Sequence, residues 1–409
     1  MKEFFKVKDL SKVLGYVSDF PCVATEDVPL LNTTERVLAA DVVSDHDIPD
    51  FPRSTMDGYA VRGSSTFGAS EGNPAYLTVV GSVAMGQSPE FAIGPGQACR
   101  IATGGMLPAG ADSVVMIEHT EALDDTSLEV FRSVAPGQHV IAVGEDIKKG
   151  DIVISRGKKL RPQESGLLAA IGKAKIKVYK KPVIGIISTG DEVVPVEDNP
   201  APAQIRDTNS YTLFSQVQQT GGQAVLYGIV RDDYNLLYDK CTQALAHSDM
   251  VLISGGSSVG ARDFTIEVLS NLPQSSILVH GISIRPGKPT ILAKTQNKAV
   301  WGMPGHVVSA MIVFKTIVQV FIEHIAGIGE IRPIKASVFA RISRNLASAQ
   351  GRVDYIRVRL LEKAGELWAE PILGKSGLIN TMVKADGLIA IDINTEGLDK
   401  GTTVEVLSL

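Results

Sequence analysis

The sequence predicts a multidomain α/β plus β protein in which an α/β domain carries the site and β-rich regions lie on either side of it. Three observations support this. Two apolar runs, Val183-Ile184-Gly185-Ile186-Ile187 and Met250-Val251-Leu252-Ile253, each lead into a glycine turn and are separated by helical patterns. That is the texture of a parallel sheet covered by helices on both faces. Residues 49–147 are dense in glycine and short β runs, which predicts a compact β domain with tight connections. Beyond Gly329 the chain again alternates apolar and polar residues, which predicts a small terminal β barrel or sandwich.

Size and composition set the limits. At 409 residues the chain exceeds what one core organises, and about 150 residues per domain gives two to four domains. Apolar residues make up 44% and charged residues 21%, ordinary for a soluble globular protein. The net charge of −5 gives no reason to expect nucleic acid or an anionic membrane as partner. Cys22, Cys99 and Cys241 form no close pair and have no ligand-spaced neighbours, which suits a reducing cytoplasm rather than a disulfide or zinc framework. The segment Met1 to Asp9 carries acids early and lacks the apolar core of a secretory signal, so it reads as mature protein. Val307 to Ile325 is strongly apolar, yet Lys315, Gln319, Glu323 and His324 fall along one helical face. That predicts a mostly buried helix rather than a membrane span.

In order, Val7, Leu10, Val13, Leu14 and Val17 share a helical face, and Thr34 to Ala40 predicts a second short helix. Short strands follow at Tyr76 to Val80, Ala98 to Ile101 and Ser113 to Ile117, then at Asp151 to Ser155. A helix opens at Pro162 and closes at Gly172. Its likeness to the first segment predicts an elongated helical linker domain, residues 1–48 and 148–180, into which a β domain, 49–147, is inserted. The α/β domain, 181–328, has a helix after Asp207-Thr208, a strand at Ala224 to Val230, Asp232 or Asp233 as a cap, and a helix at Leu236 to Ala246. Strands at Ala336 to Ile342, Asp354 to Leu361, Leu388 to Ile393 and Thr403 to Leu407 make up the last domain, 329–409.

Within the α/β domain the strand ends carry the chemistry. Val183 to Ile187 breaks at Ser188-Thr189-Gly190-Asp191-Glu192, placing two carboxylates at a strand's carboxyl end, where ligands sit in open α/β sheets. The second strand runs into Ser254-Gly255-Gly256-Ser257-Ser258-Val259-Gly260 before Asp263 opens a helix, a ready anion site of backbone N–H groups. A third strand, Ile277 to Ile284, is expected to end in Arg285-Pro286-Gly287-Lys288-Pro289, adding two cations. Taken singly, each feature has a plainer reading: a tight turn at Ser254 to Gly260, a turn at Asp57, loop geometry at Thr103-Gly104-Gly105 and Gly144-Glu145-Asp146, a helix cap at Asp263 or His306.

Jointly they say more. The succession of Ser54-Thr55-Met56-Asp57-Gly58-Tyr59-Ala60-Val61-Arg62, Thr103-Gly104-Gly105, Gly144-Glu145-Asp146-Ile147, Ser188-Thr189-Gly190-Asp191-Glu192, Ser254-Gly255-Gly256 with Asp263, Pro286-Gly287-Lys288-Pro289 and Pro304-Gly305 closely resembles the MoeA family, the molybdopterin molybdenumtransferases. The resemblance spans nearly the whole chain. It implies a MogA-like three-layer α/β molybdopterin-binding domain, an inserted β domain, an elongated linker and a C-terminal β barrel, in a homodimer with the active site between subunits. It also implies the reaction: molybdate and adenylylated molybdopterin give the metal-loaded cofactor and AMP, with Mg²⁺ taking part.

By that resemblance Asp57, Thr103, Asp146, Glu192, Asp232 and Ser376 line or support the active site, and Asp263 is the pterin-binding aspartate. Gly255, Gly256, Ser257 and Gly260, with Arg285 and Lys288, suit the phosphates. Asp191, Glu192 and Asp232 suit Mg²⁺. Transient contact with other cofactor-biosynthesis enzymes is expected. Two alternatives are a molybdopterin adenylyltransferase, disfavoured because such enzymes are essentially the lone α/β domain, and a non-catalytic pterin-binding scaffold. The chain departs from the family at Pro304-Gly305-His306-Val307-Val308-Ser309, where Pro-Gly-Asn-Pro-Val-Ser is common, and at Ser257, where many members carry Val. His306 either alters how the oxyanion is selected or only changes a helix cap, and the preference between molybdate and tungstate stays open with it.

Overall fold

The computed structural model describes residues 7–255, 264–329 and 337–409. The chain divides into two compact units, one of residues 1–40, 156–165 and 175–409, the other of 41–155 and 166–174.

The larger unit is built on a six-stranded sheet. In chain order its elements are β1 (Val183–Thr189), α1 (Asn209–Thr220), β2 (Gln223–Val230), α2 (Tyr234–His247), β3 (Met250–Ser254), α3 (Phe264–Asn271), β4 (Ser275–His280), β5 (Ile291–Thr295), β6 (Lys298–Met303) and the long helix α4 (Val307–Ile325). The spatial order is β2-β1-β3-β6-β5-β4. The first four strands are parallel, whereas β5 runs antiparallel to both β6 and β4. Because β1 and β3 are covered on both faces, their side chains alternate between two cores. Ile184, Ile186, Met250, Leu252, Trp301 and Met303 pack with α1 and α4, while Ile187, Val251, Ile253 and Val300 pack with α2 and α3. Trp301 is fully buried and meets Phe321 of α4 edge-on at 5.0 Å.

Helix ends follow their sequence signals. Gly221, at φ +95°, closes α1, its N–H and that of Gly222 bonding to Gln218 and Val217 carbonyls, as a left-handed cap requires. Of the two candidate caps for α2 it is Asp233 that serves, its Oδ1 accepting from Leu236 N at 2.9 Å. By length and composition alone α4 is apolar enough to cross a membrane. Here it is core, with Val308, Ile312, Phe314, Ile317, Phe321 and Ile322 all essentially buried.

Two expectations are corrected. Thr34 to Ala40 is not a helix: Val37 and Leu38 form extended bridges to Lys159 and Val178, because neighbouring strands offer these side chains a better apolar setting than an isolated turn would. The predicted strand Ile277 to Ile284 breaks at Gly281, at φ +98°. Ser275–His280 stays in the sheet as an antiparallel edge, and Ile284–Arg285 pairs instead with Val353 and Asp354 of the last domain.

That domain holds β7 (Ser337–Ile342), β8 (Val353–Lys363), β9 (Glu366–Pro371), β10 (Gly387–Ile391) and β11 (Thr403–Ser408). β8 pairs β9, β9 pairs β7, β7 pairs β11, β11 pairs β10, and β10 returns to β8. The ring closes, so this is a barrel and not a sandwich, with Ile342, Val358, Ala369, Ile389 and Val406 inside. Closure leaves these strands no open edge.

The smaller unit contains a second six-stranded sheet, in the order Ser113–Met116, Gly58–Val61, Gln97–Ile101, Ala75–Val83, Ser127–Val130, Thr120–Ala122. Val42–Val43 pairs with Ile152–Ile154 where the chain enters and leaves.

Candidate active site

In the larger unit the sheet order reverses around β1: the chain passes from β1 outward to β2, then back across to β3. This is a topological switch point, and the crevice beyond the carboxyl ends of β1 and β3 is where such sheets bind ligands. Four turns meet there. After β1, Gly190 N–H donates to Val230 O at 3.2 Å, and Asp191 Oδ1 accepts from Asp232 N at 3.2 Å. Asp191 and Asp232 therefore lie side by side at the ends of adjacent strands. Glu192 is exposed and folds over Gly190, where an added Cβ would stand 2.7 Å from Glu192 Oε2. After β3, Gly255 (φ +107°) runs so close to β1 that a Cβ would lie 2.3 Å from Thr189 O.

The other two turns come from α1 and from the start of α4. Asn209, at the head of α1, donates through Nδ2 to Ser254 Oγ at 2.6 Å and to Gly305 O at 2.8 Å. It ties the ends of β3 and β6 together, and its Oδ1 is buried without a partner. Asp207, buried just before it, caps the same helix by accepting from Ser210 N at 3.0 Å. Sequence reasoning passed over Asn209; the signal was an amide at a helix start two residues after a capping aspartate. Gly305 approaches Gly255, and next to it His306 Nδ1 lies 3.1 Å from Ser376 Oγ. Ser376 belongs to the barrel, so the barrel reaches the crevice. Arg357 fixes that loop, bonding to Gly374 O at 2.8 Å and to Thr381 Oγ1. Burial lowers the pKa of Arg357.

Arg285 and Lys288 lie on the segment joining β4 to β5. Since Ile291 pairs with Gly302, near the carboxyl end of β6, that segment leaves from the same edge of the sheet as the crevice. Arg285 is exposed and stands 3.6 Å from Asp354 Oδ2, which also faces Arg352. Gly256, Ser257, Gly260 and Asp263 lie outside the described residues. The structure thus gathers Asp191, Glu192, Asp232, Gly255 and Ser376 at one edge, with the two cations further along it.

The remaining predicted residues fall in the smaller unit. Asp57 Oδ1 accepts from Thr103 N at 2.7 Å and from Thr103 Oγ1 at 2.9 Å, so these two side chains are joined. Those bonds hold the Asp57 carboxyl below its ordinary value, the backbone N–H contributing most, because they favour the charged form. Gly58 makes the turn possible: a Cβ there would lie 1.9 Å from Val115 O. Asp146 is anchored differently, its N–H donating to Ile48 O. The ladder from Val140 and Ile141 against Ser54 and Arg53 links the two regions. Among the described residues, no group of three or more His, Cys, Asp or Glu is gathered closely enough to hold a metal unaided.

The fold and this crevice define a multidomain protein whose α/β domain gathers carboxylates, the start of a glycine run and two cations at one sheet edge. Comparison with known proteins is specific. Residues 7–172 match the model of the MoeA N-terminal region (domain I and II), 185–324 that of a probable molybdopterin binding domain, and 340–409 that of the MoeA C-terminal region (domain IV). The chain is 37% identical over 394 residues to a putative molybdopterin biosynthesis protein of Methanocaldococcus jannaschii, covering 94% of this chain and 92% of that protein. It is 31% identical to a molybdopterin molybdenumtransferase of Bacillus subtilis, over 94% of this chain and 89% of that one. A crystal structure of the molybdopterin biosynthesis MoeA protein from Pyrococcus horikoshii OT3 superposes with a TM-score of 0.85 at 31% identity, covering 99% of this chain and 100% of that one. The chain belongs to the MoeA family of molybdenum cofactor biosynthesis, a family that includes curated enzymes.

Proposed function

We propose that this protein is a molybdopterin molybdenumtransferase that accepts adenylylated molybdopterin and molybdate, places molybdenum on the dithiolene sulfurs and releases AMP. The observation that carries the reading is the meeting of Asp191, Glu192, Asp232, Gly255 and Ser376 at the switch point of the sheet. A pyrophosphate-linked pterin is strongly anionic. The glycine run that begins at Gly255 would offer it backbone donors, and Arg285 with Lys288 would add positive charge on the same edge.

Glu192, with Asp191 and Asp232, would hold Mg²⁺. Their hard oxygen donors fit that ion, because Mg²⁺ keeps several waters and is bound through one or two carboxylates plus substrate phosphates. When bound, it supplies charge neutralisation at the phosphoryl group whose anhydride bond breaks. Asp191 is oriented for this by Asp232 N–H, and Glu192 by its fold over Gly190. In our reading the protein works as a cytoplasmic homodimer and exchanges pterin with other enzymes of the same biosynthesis by transient contact.

The test is AMP release from adenylylated molybdopterin, measured with Mg²⁺ and with or without molybdate. Release that requires molybdate supports the reading. Formation of adenylylated pterin from ATP without molybdate would point to an adenylyltransferase, and binding without turnover to a scaffold. Replacing molybdate by tungstate in the same assay decides the preferred oxyanion.

A further inference from the structure

The helix start at His306 is capped in an unusual way. An N-cap side chain ordinarily accepts from its own helix's second or third N–H, but His306 makes no such bond. Val308 N–H instead donates to the backbone oxygen of Ser376 at 3.1 Å, while the imidazole turns outward to the Ser376 hydroxyl. One barrel residue thus caps the core helix of the α/β domain through its carbonyl and grips the residue at that helix's start through its side chain. Arg357 holds the loop on either side of this point, through Gly374 O and Thr381 Oγ1. Between those anchors Lys375 and Leu378 are exposed, and among the described residues the His306–Ser376 bond is a side-chain contact that joins the Val308–Ser376 backbone bond in holding the middle of the loop.

We propose that His306 is a positioning residue, whose Nδ1 holds the Ser376 hydroxyl and with it the barrel loop 372–379 against the crevice. Geometry makes the claim specific to one ring atom. In histidine Nδ1 is bonded to Cγ, the position that the amide nitrogen or oxygen of asparagine also occupies, whereas glutamine places its amide one bond further out, nearer Nε2. Asparagine should therefore replace His306 in this role, and glutamine or alanine should not. The kinetic part of the test rests on the transferase reading above; the structural part does not.

The structural readout is trypsin cleavage at Lys375–Ser376 in the full-length protein, followed by mass spectrometry. His306→Ala and Ser376→Ala should each speed that cut by about three- to tenfold, as expected for losing one side-chain hydrogen bond. The double variant should be no faster than either single one, and His306→Asn should keep the parental rate. Thermal unfolding of all variants guards against global loss of structure, and Ser376→Ala provides the test if His306→Ala misfolds. In turnover, His306→Ala and His306→Gln should raise KM for the pterin substrate or the oxyanion more than they lower kcat, and His306→Asn should recover most of the loss. Cleavage of His306→Asn as fast as His306→Ala, or no acceleration in Ser376→Ala, would overturn the proposal. An inactive parent with the cleavage pattern intact would overturn the transferase reading and uphold the latch.

Discussion

At the scale of single residues, the junction of Asp57 and Thr103 has a consequence that titration can read. Two bonds to one carboxylate oxygen favour its ionised form, so the folded pKa lies below the ordinary value of 3.8. The stabilisation this gives is present above that value and is lost as pH falls through the lower folded pKa. Thr103→Val removes the hydroxyl and keeps the N–H, so Asp57 should titrate closer to 3.8 while remaining below it. Carboxylate NMR of the two proteins checks this, and an unchanged titration would show that the hydroxyl contributes nothing. Gly255 gives a second residue-scale prediction. An alanine there combines φ +107° with a Cβ set 2.3 Å from Thr189 O, so Gly255→Ala should cost more than about 1 kcal/mol and weaken pterin binding. Calorimetry and ligand titration would measure both, and a variant equal to the parent would remove the close approach from the account.

At the scale of elements, the helix Pro162–Ala170 shows how a local signal becomes pH-dependent stability. Glu164 reaches back to accept from Arg161 N at 2.9 Å and pairs with the Arg161 guanidinium at 2.6 Å, which supplies the half of a capping box in which the third-position carboxylate satisfies the N-cap N–H. Its pKa is held at about 2 against an ordinary value of 4.5, chiefly by the Arg161 side chain. The sign follows: the contribution is complete above about pH 4.5 and disappears as pH falls toward 2. Glu164→Gln should destabilise by about 1 kcal/mol near neutrality, with a gap to the parent that narrows on acidification. Urea midpoints across that range test it, and a constant gap would contradict it. Elements built on buried apolar runs were legible in sequence, as β1 and β3 were, since a strand covered on both faces must be apolar throughout. Ile284–Arg285 was not, because its partner is a barrel strand far along the chain and nothing local announces the break. Glu366–Pro371 was passed over for a related reason: only the turn at Ala364 and Gly365, both at positive φ, marks it in sequence.

At the scale of the whole molecule, the crevice depends on segments distant in sequence meeting at one sheet edge. The carboxylates after β1 could be read from the strand end alone. Ser376 could not: its place was implied only by family resemblance, and the bonds that reach it come from His306, 70 positions away in sequence, and from Val308 N–H. Asn209 likewise acquires meaning only once β3 and β6 are brought side by side. Barrel closure belongs to the same class, since alternation predicts strands but not which strand each one pairs.

The most direct measurement on the central claim counts AMP and metal-loaded pterin together, in single turnovers of the full-length protein on adenylylated molybdopterin with molybdate and Mg²⁺, for the parent and for Glu192→Gln. One AMP released for each pterin loaded by the parent, and none by the variant, is the result predicted from carboxylates acting at the carboxyl edge of β1. Equal turnover by Glu192→Gln, or AMP released without molybdate incorporation, would contradict it.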